Sequence, residues 1–222
     1  MIPVSLAPEP KGFDKDIRQP GLSAIDELVG RAPRIKRRGR RRAAIAATES
    51  RIPADKFPPF WRNALDDMMT AYEQRCAYLA MFIEETGGPT VDHVIPKSLA
   101  WDRVYEWSNY RLCAGVVNAK KGNLLGLVDP VDAKIGWFEL DLVSYRVVKG
   151  GSAPPAQQER IDATLSLLNI RDCCAQRKRY VEEYRRGPGP GTKGIDLSYL
   201  EHRAPFIAAE LRRQGQLVRG DV

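Results

Sequence analysis

A change of hydrophobic period between residues 61 and 96 most constrains how this chain can fold. Apolar side chains recur at helical spacing over residues 61–72 and predict an amphipathic helix. These side chains are Trp61, Ala64, Leu65, Met68 and Tyr72. The segment Cys76–Glu85 is then apolar and partly aromatic, Gly87-Gly88-Pro89 is a turn signal, and Thr90–Pro96 is rich in β-branched residues. This order predicts a β-hairpin over residues 76–96 with its turn near 86–89.

The rest of the chain is mainly helical in pattern. We predict an extended segment over 109–112 and a helix over 114–121 that Gly122 ends. One or two strands follow over 136–148. Three helices are then predicted, over 157–168, 171–186 and 198–214. Together with the hairpin, these elements predict an α+β fold in which a small sheet is embedded in a mainly helical chain.

The positive charge of the chain is concentrated in one run. The net charge is +7, and residues 31–42 (RAPRIKRRGRRR) carry eight basic side chains and no acid. Subtracting these eight charges leaves −1 for the remaining residues. We predict an irregular N-terminal arm over residues 1–56 that contains this run, with a short helix near Ala24–Val29, followed by a central unit (57–150) and a C-terminal helical region (151–222). The arm suits a polyanion such as DNA or RNA, although a solvated charge run is the alternative.

Membrane and secreted classes are disfavoured. No run approaches the roughly 20 apolar residues that a membrane span needs. The N-terminal residues lack the charged start and apolar stretch of a signal peptide. Four irregularly spaced cysteines are too few for a disulfide framework. We therefore expect a cytoplasmic protein with reduced thiols.

One of the two histidines lies in a setting that suits catalysis. His93 follows Asp92 at the end of the predicted strand, and a neutral imidazole can take a proton from water. The Asp92 carboxylate offers a hard oxygen ligand for a divalent metal. Because strand neighbours point to opposite faces, the two can share a site only where the strand ends or twists. A salt bridge is the alternative role for Asp92.

The segments that follow give this pair a family resemblance. Asp92–Ser98 (DHVIPKS), Asn109–Leu112 (NYRL) and Asn118–Gly122 (NAKKG) resemble, in this order and spacing, the motif of HNH endonucleases with Asn in the third position. The resemblance covers about residues 76–123 and implies a ββα-metal nuclease core within the central unit 57–150. It implies a metal-dependent endonuclease that hydrolyses phosphodiester bonds of nucleic acid, with DNA expected before RNA.

The resemblance also implies residue roles. His93 would be the general base, and Asp92 and Asn118 would be metal ligands. Asn109 would hold the His93 ring or support its loop. The metal would be Mg²⁺ or Mn²⁺, which prefer oxygen ligands. Turn or helix capping is the alternative role for each of the two asparagines.

The cysteines depart from the family pattern. Many HNH domains bind a structural zinc through two Cys-x-x-Cys pairs, but here only Cys76 and Cys113 remain at these places. We therefore expect no structural zinc, and we expect Leu79, Val116 and Val117 to pack where it would lie.

Basic and aromatic residues near the motif are candidate nucleic-acid contacts. The candidates are Lys97, Arg111, Lys120 and Lys121 beside the site, and Arg37, Arg38, Arg40 and Arg41 in the basic run. For the first four, a solvated surface role is an equal alternative. Trp107 and Tyr110 could stack on bases, but a core position is favoured for both.

A looser resemblance concerns the wider chain. Glu9-Pro10, Arg18–Gly21 and Leu167–Asn169 resemble HNH proteins of retron-associated and Septu-type anti-phage systems. That resemblance implies a defence effector that works beside an ATPase or a reverse transcriptase. The alternative is a catalytically degenerate HNH fold that binds nucleic acid or docks a partner.

Overall fold

The computed structural model describes residues 1–36, 38–84, 88–191, 193–218 and 220–221. Within these ranges, seven α-helices and two small antiparallel sheets surround one hydrophobic core. The helices are α1 (Gln19–Leu28), α2 (Leu65–Ala71), α3 (Gly115–Lys121), α4 (Gln158–Leu168), α5 (Arg171–Arg186), α6 (Leu197–Arg203) and α7 (Pro205–Arg213). The strands are β1 (Pro89–His93), β2 (Tyr110–Ala114), β3 (Phe138–Leu140) and β4 (Val147–Lys149). The mixed helix and sheet content confirms the α+β class.

The central sheet pairs β1 with β2. The strands are antiparallel, with His93 opposite Tyr110 and Asp92 opposite Arg111. Helix α3 follows β2 directly, and Gly122 ends it with φ +47°, a conformation that favours glycine. The predicted extended segment and the predicted helix ending at Gly122 are therefore confirmed, and they form a strand–strand–helix unit.

The predicted hairpin partner is wrong. Thr90 pairs with Cys113 of β2, not with the segment that begins at Cys76. That segment folds as tight turns with one isolated bridge between Arg75 and Phe82. Its residues Cys76–Met81 are all buried and Ala80 has φ +49°, so they lack the alternating exposure and extended backbone of a strand. The predicted turn falls partly on residues 85–87, which lie outside the described ranges.

The N-terminal region is more ordered than the sequence predicts. A π-helical turn over Asp14–Arg18 leads directly into α1. Phe13 packs edge-on against Trp107 and Tyr110, each with a centroid distance of 5.7 Å. A Cβ at Gly21 would lie 2.3 Å from the Tyr105 ring, so only glycine permits this approach of α1. Trp107 and Tyr110 are therefore core residues, as the sequence favours.

The C-terminal helices follow the prediction with one interruption. Helices α4 and α5 match the predicted spans, but the last predicted helix is divided into α6 and α7. Ala204 adopts φ −151° and ψ 62° between them, because a residue before proline is pushed out of the helical region. Of the one or two strands predicted over residues 136–148, the structure has two, β3 and β4. No helix in the described ranges is long and apolar enough to cross a membrane.

Candidate active site

A small polar cleft lies where β1 ends. It is lined by Asp92, His93, Asn118 and Lys97, which the sequence singled out, and also by Trp61 and Asn123. Helix α3 supplies Asn118, and the turn after it supplies Asn123. The fold thus brings residues that are 26 positions apart, Asp92 and Asn118, to one place.

The His93 ring is fixed in one tautomer. Its Nε2 lies 3.0 Å from the Val104 carbonyl, which can only accept, so Nε2 carries the proton and Nδ1 keeps its lone pair. Trp61 and Tyr110 contact the ring edge-to-face at 5.0 and 5.1 Å. Burial, together with the positive charges of Lys97 and Lys121, lowers the pKa of His93 to about 4. The ring is therefore neutral near pH 7.

The Asp92 carboxylate is buried and already paired. Its Oδ1 lies 3.0 Å from Lys121 Nζ, and its Oδ2 accepts from the Tyr78 hydroxyl at 2.9 Å. Only 2% of each of Asp92 and Lys121 is exposed. Burial raises the pKa of Asp92, and the Lys121 charge opposes this shift. The alternative considered for Asp92, a salt bridge, is what the structure contains.

The sequence analysis offered Lys121 as a phosphate contact. In the structure it is buried and paired with Asp92 instead. Its ammonium also donates to the His93 carbonyl at 2.8 Å. It lies in the last turn of α3, where the helix faces the end of β1, so this contact ties α3 to the strand that carries His93.

Asn118 also links α3 to β1, one turn of the helix before Lys121. Its Nδ2 donates to Thr90 Oγ1 at 3.0 Å and more weakly to the Val91 carbonyl at 3.5 Å. With the amide nitrogen engaged, Oδ1 is the atom that remains to accept or coordinate in the cleft. The side chain is partly exposed.

Asn109 supports the loop rather than the imidazole. Its Oδ1 accepts from Ile95 N–H at 2.8 Å, and its Nδ2 donates to the carbonyls of Ile95 and Arg103 at 3.1 and 3.0 Å. Arg103 precedes Val104, whose carbonyl holds His93. Asn109 thus positions His93 through this loop, the second of the two roles that the resemblance implied.

Arg111, which the sequence analysis offered as a nucleic-acid contact, is a buried residue paired with Asp129. Its guanidinium forms two hydrogen bonds with Asp129, at 2.8 and 2.6 Å, and only 4% of the residue is exposed. It donates to the Ser108 and Tyr110 carbonyls as well. An arginine in the middle of a buried strand needs a carboxylate partner, so Arg111 stabilises the fold and is not available for phosphate.

Lys97 and Lys120 remain accessible. Lys97 Nζ lies 4.1 Å from the centre of the Trp61 ring, beside the cleft, and partial burial lowers its pKa. Lys120 is exposed on α3, one residue before the buried Lys121. Lys97 lines the cleft, and neither lysine has to break an ion pair that the structure describes to meet a phosphate group.

The basic run is anchored to α1. Arg31 and Arg34 pair with Asp26 at 2.9 and 2.8 Å, and Arg42 pairs with Glu27 at 2.7 Å. Three further members, Arg38, Arg40 and Arg41, are exposed. Arg37 lies outside the described residues. The run therefore folds back onto the end of α1 through several of its arginines, including Arg41, which donates to the Gly30 carbonyl at 3.3 Å, while Arg38 and Arg40 stay exposed.

Two buried cysteines lie at the strand–strand–helix unit, Cys113 within β2 and Cys76 beside it. The Cys76 thiol accepts from Ala114 N–H at 3.4 Å, and burial raises the pKa of Cys113 well above its usual value. Leu79 and Val117 are buried nearby, as predicted, whereas Val116 is 44% exposed. The described residues contain no group of three or more His, Cys, Asp or Glu side chains that could hold a metal ion.

Two contributors to the site escaped the sequence analysis. Tyr78, which holds Asp92, lies in the segment predicted to be a strand, and Trp61, which holds His93 and Lys97, was assigned only to a helix. Their aromatic character was visible, but aromatic residues in apolar segments indicate core positions rather than a site.

Comparisons with known proteins add nothing to this geometry. No family model matches the chain, and no curated protein or solved structure matches it.

Proposed function

We propose that this chain is an endonuclease that hydrolyses phosphodiester bonds of nucleic acid at the cleft. One observation carries the proposal: Asp92, His93 and Asn118, which lie in motif order along the chain, line a single cleft. The cleft is formed by the end of β1 and by α3, within a strand–strand–helix unit. The motif resemblance gives the reaction class.

His93 is the general base in this proposal. Its Nε2 proton is committed to Val104, its pKa is low, and Nδ1 is therefore an unprotonated acceptor at neutral pH. His93 lines the cleft, and Nδ1 is the ring nitrogen that the Val104 contact leaves for a water molecule there.

The donors around the cleft suit a hard divalent cation such as Mg²⁺ or Mn²⁺. Asp92 would supply a carboxylate oxygen and Asn118 its Oδ1, the oxygen ligands that these ions prefer. When bound, such an ion stabilises the charge that develops on the phosphate and the leaving oxygen. The Lys121 ammonium competes for the same carboxylate.

The substrate would be held through its backbone. Lys97 lines the cleft, Lys120 is exposed on α3, and the exposed arginines of the basic run add a sequence-independent attraction. We propose DNA as the substrate. A role as an anti-phage effector, with an ATPase or reverse transcriptase as partner, is part of the proposal and rests on the sequence resemblance alone.

A second candidate is favoured by one contact. In a degenerate HNH fold that only binds nucleic acid or a partner, Asp92 would have no metal to hold and would be neutralised internally. The Asp92–Lys121 pair is such a neutralisation.

Cleavage assays separate the two candidates. The full chain is incubated with supercoiled plasmid, single-stranded DNA and RNA, each with Mg²⁺, Mn²⁺ or EDTA, beside His93→Gln. The substituted side chain keeps an amide donor for the Val104 carbonyl, so the variant removes the base while preserving the loop contact. His202→Gln is the matched control, because His202 is exposed on α6.

The nuclease proposal predicts cleavage of at least one substrate that EDTA and His93→Gln abolish and His202→Gln preserves. Nucleic-acid binding by a folded chain without any cleavage would favour the second candidate. Equal cleavage by His93→Gln and the parent chain would remove His93 as the base.

A further inference from the structure

The cation position beside Asp92 is filled by the chain itself. Lys121 Nζ lies 3.0 Å from Asp92 Oδ1 and 2.8 Å from the His93 carbonyl. The Tyr78 hydroxyl donates to the other carboxylate oxygen. Asp92 therefore has a charged partner and a neutral donor before any ion arrives.

A divalent cation and the Lys121 ammonium are poorly compatible at this carboxylate. Both would lie within bonding distance of one buried negative charge, and like charges repel strongly where water is excluded. The groups facing the pair are the neutral Tyr78 phenol and the positive Arg111, which is already paired with Asp129. No additional acid among the described residues bonds to this pair.

Lys121 has a place to move. A second cleft adjoins the buried pair, and its lining includes Tyr78, Lys121, Leu125 and Asp129. Helix α3 ends at Lys121, and Leu125 and its neighbours in the following turn are exposed. Lys121 lines this second cleft, so its flexible four-carbon side chain can leave Asp92 and extend into it without unwinding the helix.

We propose that Lys121 and a divalent cation are alternative partners of Asp92, so that cation binding moves the Lys121 ammonium out of its buried position. The lysine then acts as an internal competitor that weakens cation binding at the resting site. This inference rests on the proposed assignment of Asp92 as a metal ligand. It concerns occupancy of the site, whereas the nuclease proposal concerns cleavage.

Lysine footprinting tests the movement of Lys121 in the chain without any substitution. The full chain is treated briefly with an amine-acetylating reagent in EDTA or in Mn²⁺, and acetylation at each lysine is measured by mass spectrometry. Lys121 should be protected in EDTA and several-fold more reactive in Mn²⁺, while the exposed neighbour Lys120 should react equally in both. A Lys121 that stays protected while Mn²⁺ is bound would overturn the inference.

Mn²⁺ affinity provides the second readout. Electron paramagnetic resonance titration should show Mn²⁺ binding at least about tenfold tighter to Lys121→Met than to the parent chain. In that variant Mn²⁺ no longer has to displace a buried ammonium from Asp92. Lys120→Met is the matched control and should bind like the parent. Equal or weaker binding by Lys121→Met, or no binding by either chain, would overturn the inference. Tighter binding without cleavage would leave it standing while the nuclease proposal fails.

Discussion

The side chain of Asn109 bonds to both backbone groups of Ile95, accepting from its N–H at 2.8 Å and donating to its carbonyl at 3.1 Å. A third bond, to the Arg103 carbonyl at 3.0 Å, closes the loop between these residues. The loop in turn presents the Val104 carbonyl to His93. The orientation of the proposed base thus depends on an amide that does not touch it.

We therefore expect Asn109→Ala to lower both stability and cleavage rate. Losing three largely buried hydrogen bonds should reduce the free energy of unfolding by about 2–3 kcal/mol, measured by urea denaturation. Asn63→Ala, at an exposed residue with one weak bond to Asp16, is the control and should change it by less than about 0.5 kcal/mol. Wild-type stability and rate for Asn109→Ala would contradict the positioning role.

The Asp92–Lys121 pair should show strong coupling in a double-mutant cycle. Lys121→Met leaves a buried carboxylate without its charged partner and should cost about 3 kcal/mol. Adding Asp92→Asn removes that orphaned charge and should recover part of the loss, giving a coupling energy of about 1–3 kcal/mol. Chemical denaturation of the four chains in EDTA measures the cycle. Strictly additive losses would mean that the two side chains do not interact as described.

His93 should make stability depend on pH. Its pKa is about 4 in the folded chain because of burial, against an ordinary value of 6.5, so the unfolded chain binds the proton more readily. The stabilisation is therefore complete above about pH 6.5 and is lost as pH falls toward 4, by about 3 kcal/mol. Comparing His93→Gln with the parent in EDTA isolates this contribution from that of Asp92. The same acid-induced loss in both chains would refute it.

The exposed arginines of the basic run should contribute salt-dependent binding. Arg38→Gln with Arg40→Gln should reduce the slope of log affinity against log salt by up to about 2, since each phosphate contact contributes roughly 0.9. Fluorescence anisotropy with labelled DNA measures this slope. Arg185→Gln with Arg186→Gln removes two exposed charges from the end of α5 and is the control. An unchanged slope for the first pair would exclude the run from the interface.

Local pattern predicted most of the helices and the separate elements around His93, because α3, α5 and β2 are encoded by period and by turn residues within each segment. Strand pairing was not predicted, because β1 pairs with a strand that begins 17 residues after His93, and a nearer apolar segment offered a plausible partner. Strand pairing depends on tertiary packing as well as on local pattern, so the sequence segment by itself does not identify the partner.

The sequence predicted which residues line the cleft, but it did not predict the ion pairs around them. Asp92, His93 and Asn118 line one cleft, as the motif indicated. The roles of Lys121 and Arg111 were misjudged because their sequence neighbours look like a basic surface, whereas each side chain is buried and paired with a carboxylate. Asp129 lies 18 residues from Arg111, and sequence spacing alone cannot assign that pair.

The rate of phosphodiester cleavage by His93→Gln tests the central claim most directly. With a substrate that the parent chain cuts, single-turnover cleavage should fall by about 10²–10⁴-fold in this variant, the usual contribution of a general base. His202→Gln should retain the parental rate, and both variants should keep the parental circular dichroism spectrum. A folded His93→Gln that cleaves at the parental rate would contradict the account.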